Sequence, residues 1–212
     1  MTTPLASGRE ADVFALDERR VLRRYRREAD TTGEAAAMSY LGGLGFPVPV
    51  VFEAGGREMV LERLDGSTMT AALAAGRTTV ADSAATLAGL IARLHELPPW
   101  AGAGSILHLD LHPENVMLTS RGPVVIDWCN ARVGEADLDT GLTALILAQV
   151  AIEGTHPMAA VAGECLDVLL PLLPGDPTRL LDEAVAFRAT QLLTPGEVDA
   201  LPRAAAWVRG ER

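Results

Sequence analysis

The chain contains no lysine: all 18 of its basic residues are arginine. Any chemistry that grips an anion through a compact ammonium must here use a guanidinium or go without. Cysteine is nearly absent too. Cys129 and Cys165 are the 2 in the chain, and they lack the spacing of a zinc cluster or a disulfide framework, which suits a reducing compartment. Positive charge is in deficit, with a net charge of -10, so the sequence predicts no nucleic-acid partner and no generic coating of a polyanion. No apolar run approaches the roughly 18 residues that cross a bilayer, and Met1-Thr2-Thr3-Pro4 does not open an export signal. The expectation is a cytoplasmic protein with no membrane partner. Repeats and low-complexity tracts are also missing, whereas 49% of residues are hydrophobic, enough for a real core over 212 residues.

What is present changes character along the chain. Up to Leu64 the pattern favours strands: Asp12–Leu16 and Arg20–Arg23 flank a turn at Asp17-Glu18, and Phe46–Ala54 and Arg57–Leu64 flank Gly55-Gly56. One helix interrupts them. Thr31 and Glu34 have capping-box spacing, Ala37, Met38 and Leu41 share a face, and Gly42-Gly43 ends it. After Gly66 the period becomes helical. Val80, Ala84, Leu87, Ile91 and Leu94 mark a long amphipathic helix closed by Pro98-Pro99, and the chain is helical again from Asp139, with Leu142, Leu145, Ile146 and Val150 in one stripe. The expected organisation is α+β, with a β-rich N-terminal domain over 1–65 and a helical domain over 66–212.

Polar residues concentrate in His108-Leu109-Asp110-Leu111-His112-Pro113-Glu114-Asn115, with Asp127 twelve residues beyond. Val116–Leu118 and Val124–Ile126 read as a hairpin turning near Ser120–Gly122. Asn115 enters its first strand and Asp127 leaves its second, so an amide oxygen and a carboxylate are expected side by side, as hard-oxygen Mg²⁺ ligands. Asp110, in the preceding loop, is a candidate base toward a substrate hydroxyl.

The pattern His-x-Asp-x-x-x-x-Asn, a hairpin, then Ile126-Asp127-Trp128 resembles the aminoglycoside phosphotransferase and choline kinase family, a branch of the protein-kinase-like fold. Leu94-His95, the stretch from Gly134 to Asp139 and the order of the early elements extend the resemblance over 5–150. It implies two lobes, a small antiparallel β N-lobe and a helical C-lobe, and transfer of phosphate from ATP, with GTP as the alternative donor, to a small-molecule hydroxyl. Asp110 is then the catalytic aspartate, Asn115 and Asp127 the Mg²⁺ ligands, and His108 a brace for the loop. Gly8 lies where a phosphate-covering loop belongs. Arg23 stands where kinases carry lysine, Glu34 is its expected ion-pair partner, and Glu62 to Leu64 form a hinge whose backbone receives adenine. A cluster of Glu135, Asp137, Glu153 and Glu164 suggests a cationic acceptor such as an amino sugar or amino alcohol.

Other readings compete. Glu34 also fits a capping box with Thr31, and Arg23 with Arg24 also fits a solvated edge-strand run. His95 and Cys129 read as packing residues. His108, Asp110 and His112 alternate as the ligands of an iron or zinc oxygenase or hydrolase would. A degenerate kinase-like module that binds nucleotide without turnover is the third reading.

Overall fold

Val21, Arg23 and Tyr25 alternate with Leu22 and Arg24, the two-residue period of a strand. The computed structural model, which describes residues 3–153 and 156–211, builds a five-stranded antiparallel sheet around this segment. Its strands are β1 (Ala6–Ser7), β2 (Ala11–Ala15), β3 (Arg20–Tyr25), β4 (Val51–Gly55) and β5 (Glu58–Glu62), in the order β1-β2-β3-β5-β4. Asp17 makes the β2–β3 turn by accepting the backbone N–H groups of Arg19 and Arg20, each at 2.8 Å. Between β3 and β4, α1 (Thr32–Gly43) buries Ala37, Met38 and Leu41, the face its spacing predicted. The strand expected from Phe46 starts only at Val51. Pro47 and Pro49 lack the N–H that a ladder requires.

Two compact units result. The first runs to Ser67 and takes in Met117–Ala131; the second holds Thr68–Val116 and the chain from Arg132 on. The short strand β6 (Ser67–Thr68) follows Gly66, which has φ +89° and sits so close to Leu118 that a Cβ would lie 2.0 Å from its carbonyl oxygen. Only glycine fits there. Further strands are β7 (Ser105–Leu107), β8 (Val116–Thr119), β9 (Gly122–Val125) and β10 (Arg132–Gly134); β8 and β9 form the hairpin read from the sequence. Trp128 anchors this segment in the core of the first unit. Its ring meets Phe46 edge-on at 5.7 Å, its indole N–H donates to the Val125 carbonyl at 3.0 Å, and only 1% of it is exposed.

In the second unit, β7 and β10 pair antiparallel beside α2 (Met69–Ala74), α3 (Val80–Glu96), α4 (Ala136–Ile152), α5 (Ala159–Leu169), α6 (Leu181–Arg188) and α7 (Pro195–Val208). Thr79 caps α3 by accepting the Asp82 N–H at 3.1 Å. The central helix is α4, packed on α5, α6 and α7. Every residue from Asp139 to Gln149 is buried, so the one-sided stripe predicted there understates an all-round apolar helix. That helix also starts three residues before Asp139. Among the described residues no helix is long and apolar enough to cross a membrane.

Candidate active site

In the first unit the strand period turns Arg23 inward and leaves Arg24 outside, where it pairs with Glu58. Arg23 Nη1 donates to Glu34 Oε1 at 2.7 Å and Nη2 to Asp127 Oδ1 at 2.5 Å. The side chain of Glu34 is only 4% exposed, and two further donors hold it: the Tyr25 hydroxyl at 2.7 Å and the Trp128 backbone N–H at 3.0 Å. The capping-box alternative therefore fails. Thr31 makes no side-chain cap bond and donates its hydroxyl to the Glu58 carbonyl instead. Burial alone would lower the Arg23 pKa, but the charges of Asp127 and Glu34 overcome it and raise it above its ordinary value. Asp127 has φ +66°, a left-handed conformation uncommon outside glycine and frequent at functional sites. Burial and the Asp127 carboxylate push the Cys129 thiol up. Cys129 is thus a neighbour of this carboxylate rather than mere packing.

The other residues expected around a nucleotide lie elsewhere in the first unit. Gly8 is in the β1–β2 turn, where its N–H donates to the Ala11 carbonyl at 2.9 Å. An added Cβ would meet only that oxygen, at 3.6 Å, so the position does not demand glycine. Arg26 ties the turn down through Asp12 and the carbonyls of Gly8 and Arg9. Glu62 ends β5, with its carboxylate accepting from Arg121 at 2.8 Å and from the Val50 N–H at 3.1 Å. Leu64 follows, half-buried.

In the second unit β7 delivers the loop 108–115. Asp139, fully buried at the start of α4, accepts the N–H groups of His108 and Leu109 at 3.1 and 2.6 Å and pairs with His95 Nε2 at 3.0 Å. Asp139 therefore organises the loop rather than capping its own helix, and His95 is part of that network. The loop is bent hard at Leu109, which has φ +62° and is completely buried. His108 Nδ1 accepts the Asp110 N–H at 3.2 Å, which is the brace expected of it.

Both oxygens of Asp110 are engaged. Asn115 Nδ2 donates to Oδ2 at 3.1 Å and to the Asp110 carbonyl at 2.8 Å. Arg188 of α6 approaches Oδ1 at 3.3 Å, and His112 lies 3.7 Å from the same oxygen. Burial pushes the Asp110 pKa up, yet the His112 hydrogen bond and the charges of His112, His108 and Arg188 outweigh it and hold the carboxyl below its ordinary value. Asp110 is an ionised acceptor. With the amide nitrogen of Asn115 committed, among the described residues nothing donates to its Oδ1. An amide oxygen is a hard donor of the kind that Mg²⁺ selects.

Arg188 was invisible in the sequence. Its Nε donates to Gln149 Oε1 at 3.1 Å and its Nη1 also to Gln191, but a single arginine on a short helix has no spacing signature. The acidic cluster expected to attract a cation is partly spent: Arg179 pairs with Glu135 at 2.7 Å and with Asp137. The oxygenase or hydrolase alternative finds no footing. His108 is wholly buried, and among the described residues no three His, Cys, Asp or Glu side chains are grouped to hold a metal.

The model of the phosphotransferase enzyme family (APH) matches residues 2–103 and 79–162. No curated protein matches the chain. Similar solved structures include an aminoglycoside-3'-phosphotransferase of type VIII, 18% identical with TM-score 0.59 over 98% of this chain and 92% of that one. A choline kinase from Streptococcus pneumoniae is 13% identical with TM-score 0.56, covering 98% and 93%. An amicoumacin kinase in complex with AMP-PNP and Ca²⁺ is 14% identical with TM-score 0.55, covering 99% and 88%. At these identities the likeness is one of fold, which is that of the kinase-like phosphotransferases.

Proposed function

The chain belongs to the phosphotransferase enzyme family, and from that premise we propose that it transfers the terminal phosphoryl group of ATP to a hydroxyl of a small molecule in the cytoplasm. The observation that carries the reading is the state of Asp110: ionised, held by Asn115, and set on a loop whose backbone Asp139 fixes. In this role Asp110 accepts the proton of the acceptor hydroxyl as the phosphoryl group leaves its donor. Asn115 and Asp127 are the residues that would ligate Mg²⁺, and the ion would supply positive charge against the phosphates. Arg23 supplies the fixed positive charge on the nucleotide side and is itself oriented by Glu34. Gly8 covers the phosphates, and the backbone of Glu62 to Leu64 receives the adenine. The domain boundary proposed at 65/66 separates Gly8, Arg23, Glu34 and Glu62 to Leu64 from Asp110.

The neighbour holding AMP-PNP with Ca²⁺ supports a nucleotide and a divalent ion as the donor set. The test is turnover. Asp110→Asn is expected to lower kcat by about 10³-fold with ATP affinity nearly unchanged, and Asp127→Ala to abolish the Mg²⁺ dependence of ATP binding measured by calorimetry. Equal loss of kcat and ATP affinity in Asp110→Asn would overturn the assignment of the base. ATP and GTP compared in the same assay identify the donor, and nucleotide binding with no turnover on any acceptor would point to the binding module instead.

A further inference from the structure

The neighbours of Asp110 state what kind of acceptor it serves. Arg188 brings a guanidinium to 3.3 Å from Oδ1 with its side chain 13% exposed, and Gln149 on α4 and Gln191 beyond α6 orient it. A second arginine lies on the strand paired with β7. β10 pairs with β7 so that Arg132 lies opposite Leu107, the residue before His108, and the Arg132 guanidinium stacks over Phe187, next to Arg188, at 4.8 Å. One arginine thus touches Asp110 and a second, from a different element, sits on the strand beside the one that leads to it. His112 is also within 3.7 Å of that carboxylate. Of the nearby charges on these elements, Glu135 and Asp137 pair with Arg179 and Asp182 with Arg209, while Arg188 pairs with Asp110 itself.

Resting on the phosphotransferase reading above, we propose that Arg188 and Arg132 form the acceptor-recognition site, and that the acceptor carries an anionic group, a carboxylate or phosphate, beside the hydroxyl that is phosphorylated. A guanidinium suits this because its planar fork matches an oxyanion. An ammonium in the same place would meet the charge of Arg188 at the moment its hydroxyl reached Asp110. The two glutamine amides keep Arg188 in place without neutralising it, so it is able to share its charge between Asp110 and the incoming anion.

The experiment uses acceptors matched in skeleton and differing in charge: glycerate, glycerol and serinol, and gluconate, glucose and glucosamine, with Mg²⁺-ATP binding measured alongside. Wild type is expected to favour the acids over the amines in kcat/KM by about tenfold or more, a preference that shrinks at high salt. Arg188→Gln should raise KM for the acids about 10- to 100-fold without changing the KM for ATP. Arg188→Lys should recover part of this, and Arg188→Glu should reverse the order. Arg132→Gln, on an exposed strand residue, gives the same direction if Arg188 variants fail to fold. Preference for amines in wild type, or an order of acceptors unchanged by Arg188→Gln and Arg188→Glu, would overturn the proposal. So would an equal fall in kcat on every acceptor, which would make Arg188 a positioning residue for Asp110 alone. A wild type that binds no Mg²⁺-ATP would sink the phosphotransferase reading instead.

Discussion

A lysine at position 23 would offer one ammonium; the arginine offers a fork, and the fork spans two carboxylates. Glu34 lies too deep to be left without its cation, so Arg23→Ala is expected to destabilise the protein by about 3–5 kcal/mol, the scale for breaking a buried pair from one side. Arg23→Lys reaches one carboxylate at a time and should cost less. Urea denaturation with calorimetric ATP titration separates the two roles, and an Arg23→Ala protein as stable as wild type would refute the pairing. Asp110 gives a pH prediction of definite sign. Its folded pKa lies below the ordinary 3.8, so the ionised form, and the stability it brings, is complete above that value and is lost only as pH falls through the depressed one. Activity measured from pH 5 to 8 should therefore show no acid limb from Asp110. A limb in that range that vanishes in Asp110→Asn would contradict this.

Elements with a clean local period are legible in the sequence: β2 and β3 by alternation, α1 and α3 by their apolar faces, and the β8–β9 hairpin by its turn. Their roles followed where one residue had one possible partner. Glu34 had two, and sequence spacing alone could not rank a cap against a buried ion pair; the desolvated guanidinium decided it. The start of α4 lies at Ala136, three residues before the expected Asp139. In the fold the Asp139 carboxylate joins α3, the loop 108–115 and α4 through His95, His108 and Leu109, long-range contacts that leave no local trace. Removing it in Asp139→Ala strands two buried backbone donors, at about 1–3 kcal/mol each. The expected outcome is a loss of about 2–6 kcal/mol in urea denaturation together with a fall in kcat, because Leu109 would no longer be held at its left-handed φ. Unchanged kcat in a folded Asp139→Ala protein would show that the loop keeps its shape without it.

At the scale of the whole molecule, the residues assigned to nucleotide belong to the first unit except Asn115, and those assigned to the acceptor belong to the second. The net charge of -10 argues against a free polyanion being held anywhere on the surface by general attraction, so a triphosphate must be bound through local positive charge and metal. ATP with Mg²⁺ should therefore stabilise the protein, and ATP with a chelator should do so far less. At 100 times its dissociation constant a ligand that binds only the folded state adds about 2.7 kcal/mol, which for a chain of this size corresponds to a rise in Tm of about 5–10 °C. The Asp127→Ala protein should lose the metal-dependent part of that rise while keeping any residual shift from ATP alone. Arg188→Gln should keep the full rise, because its guanidinium serves the acceptor and not the nucleotide. A thermal-unfolding series with ATP, Mg²⁺ and chelator in these three proteins reads all of it at once. An equal rise with and without Mg²⁺ in wild type would remove Asn115 and Asp127 as metal ligands.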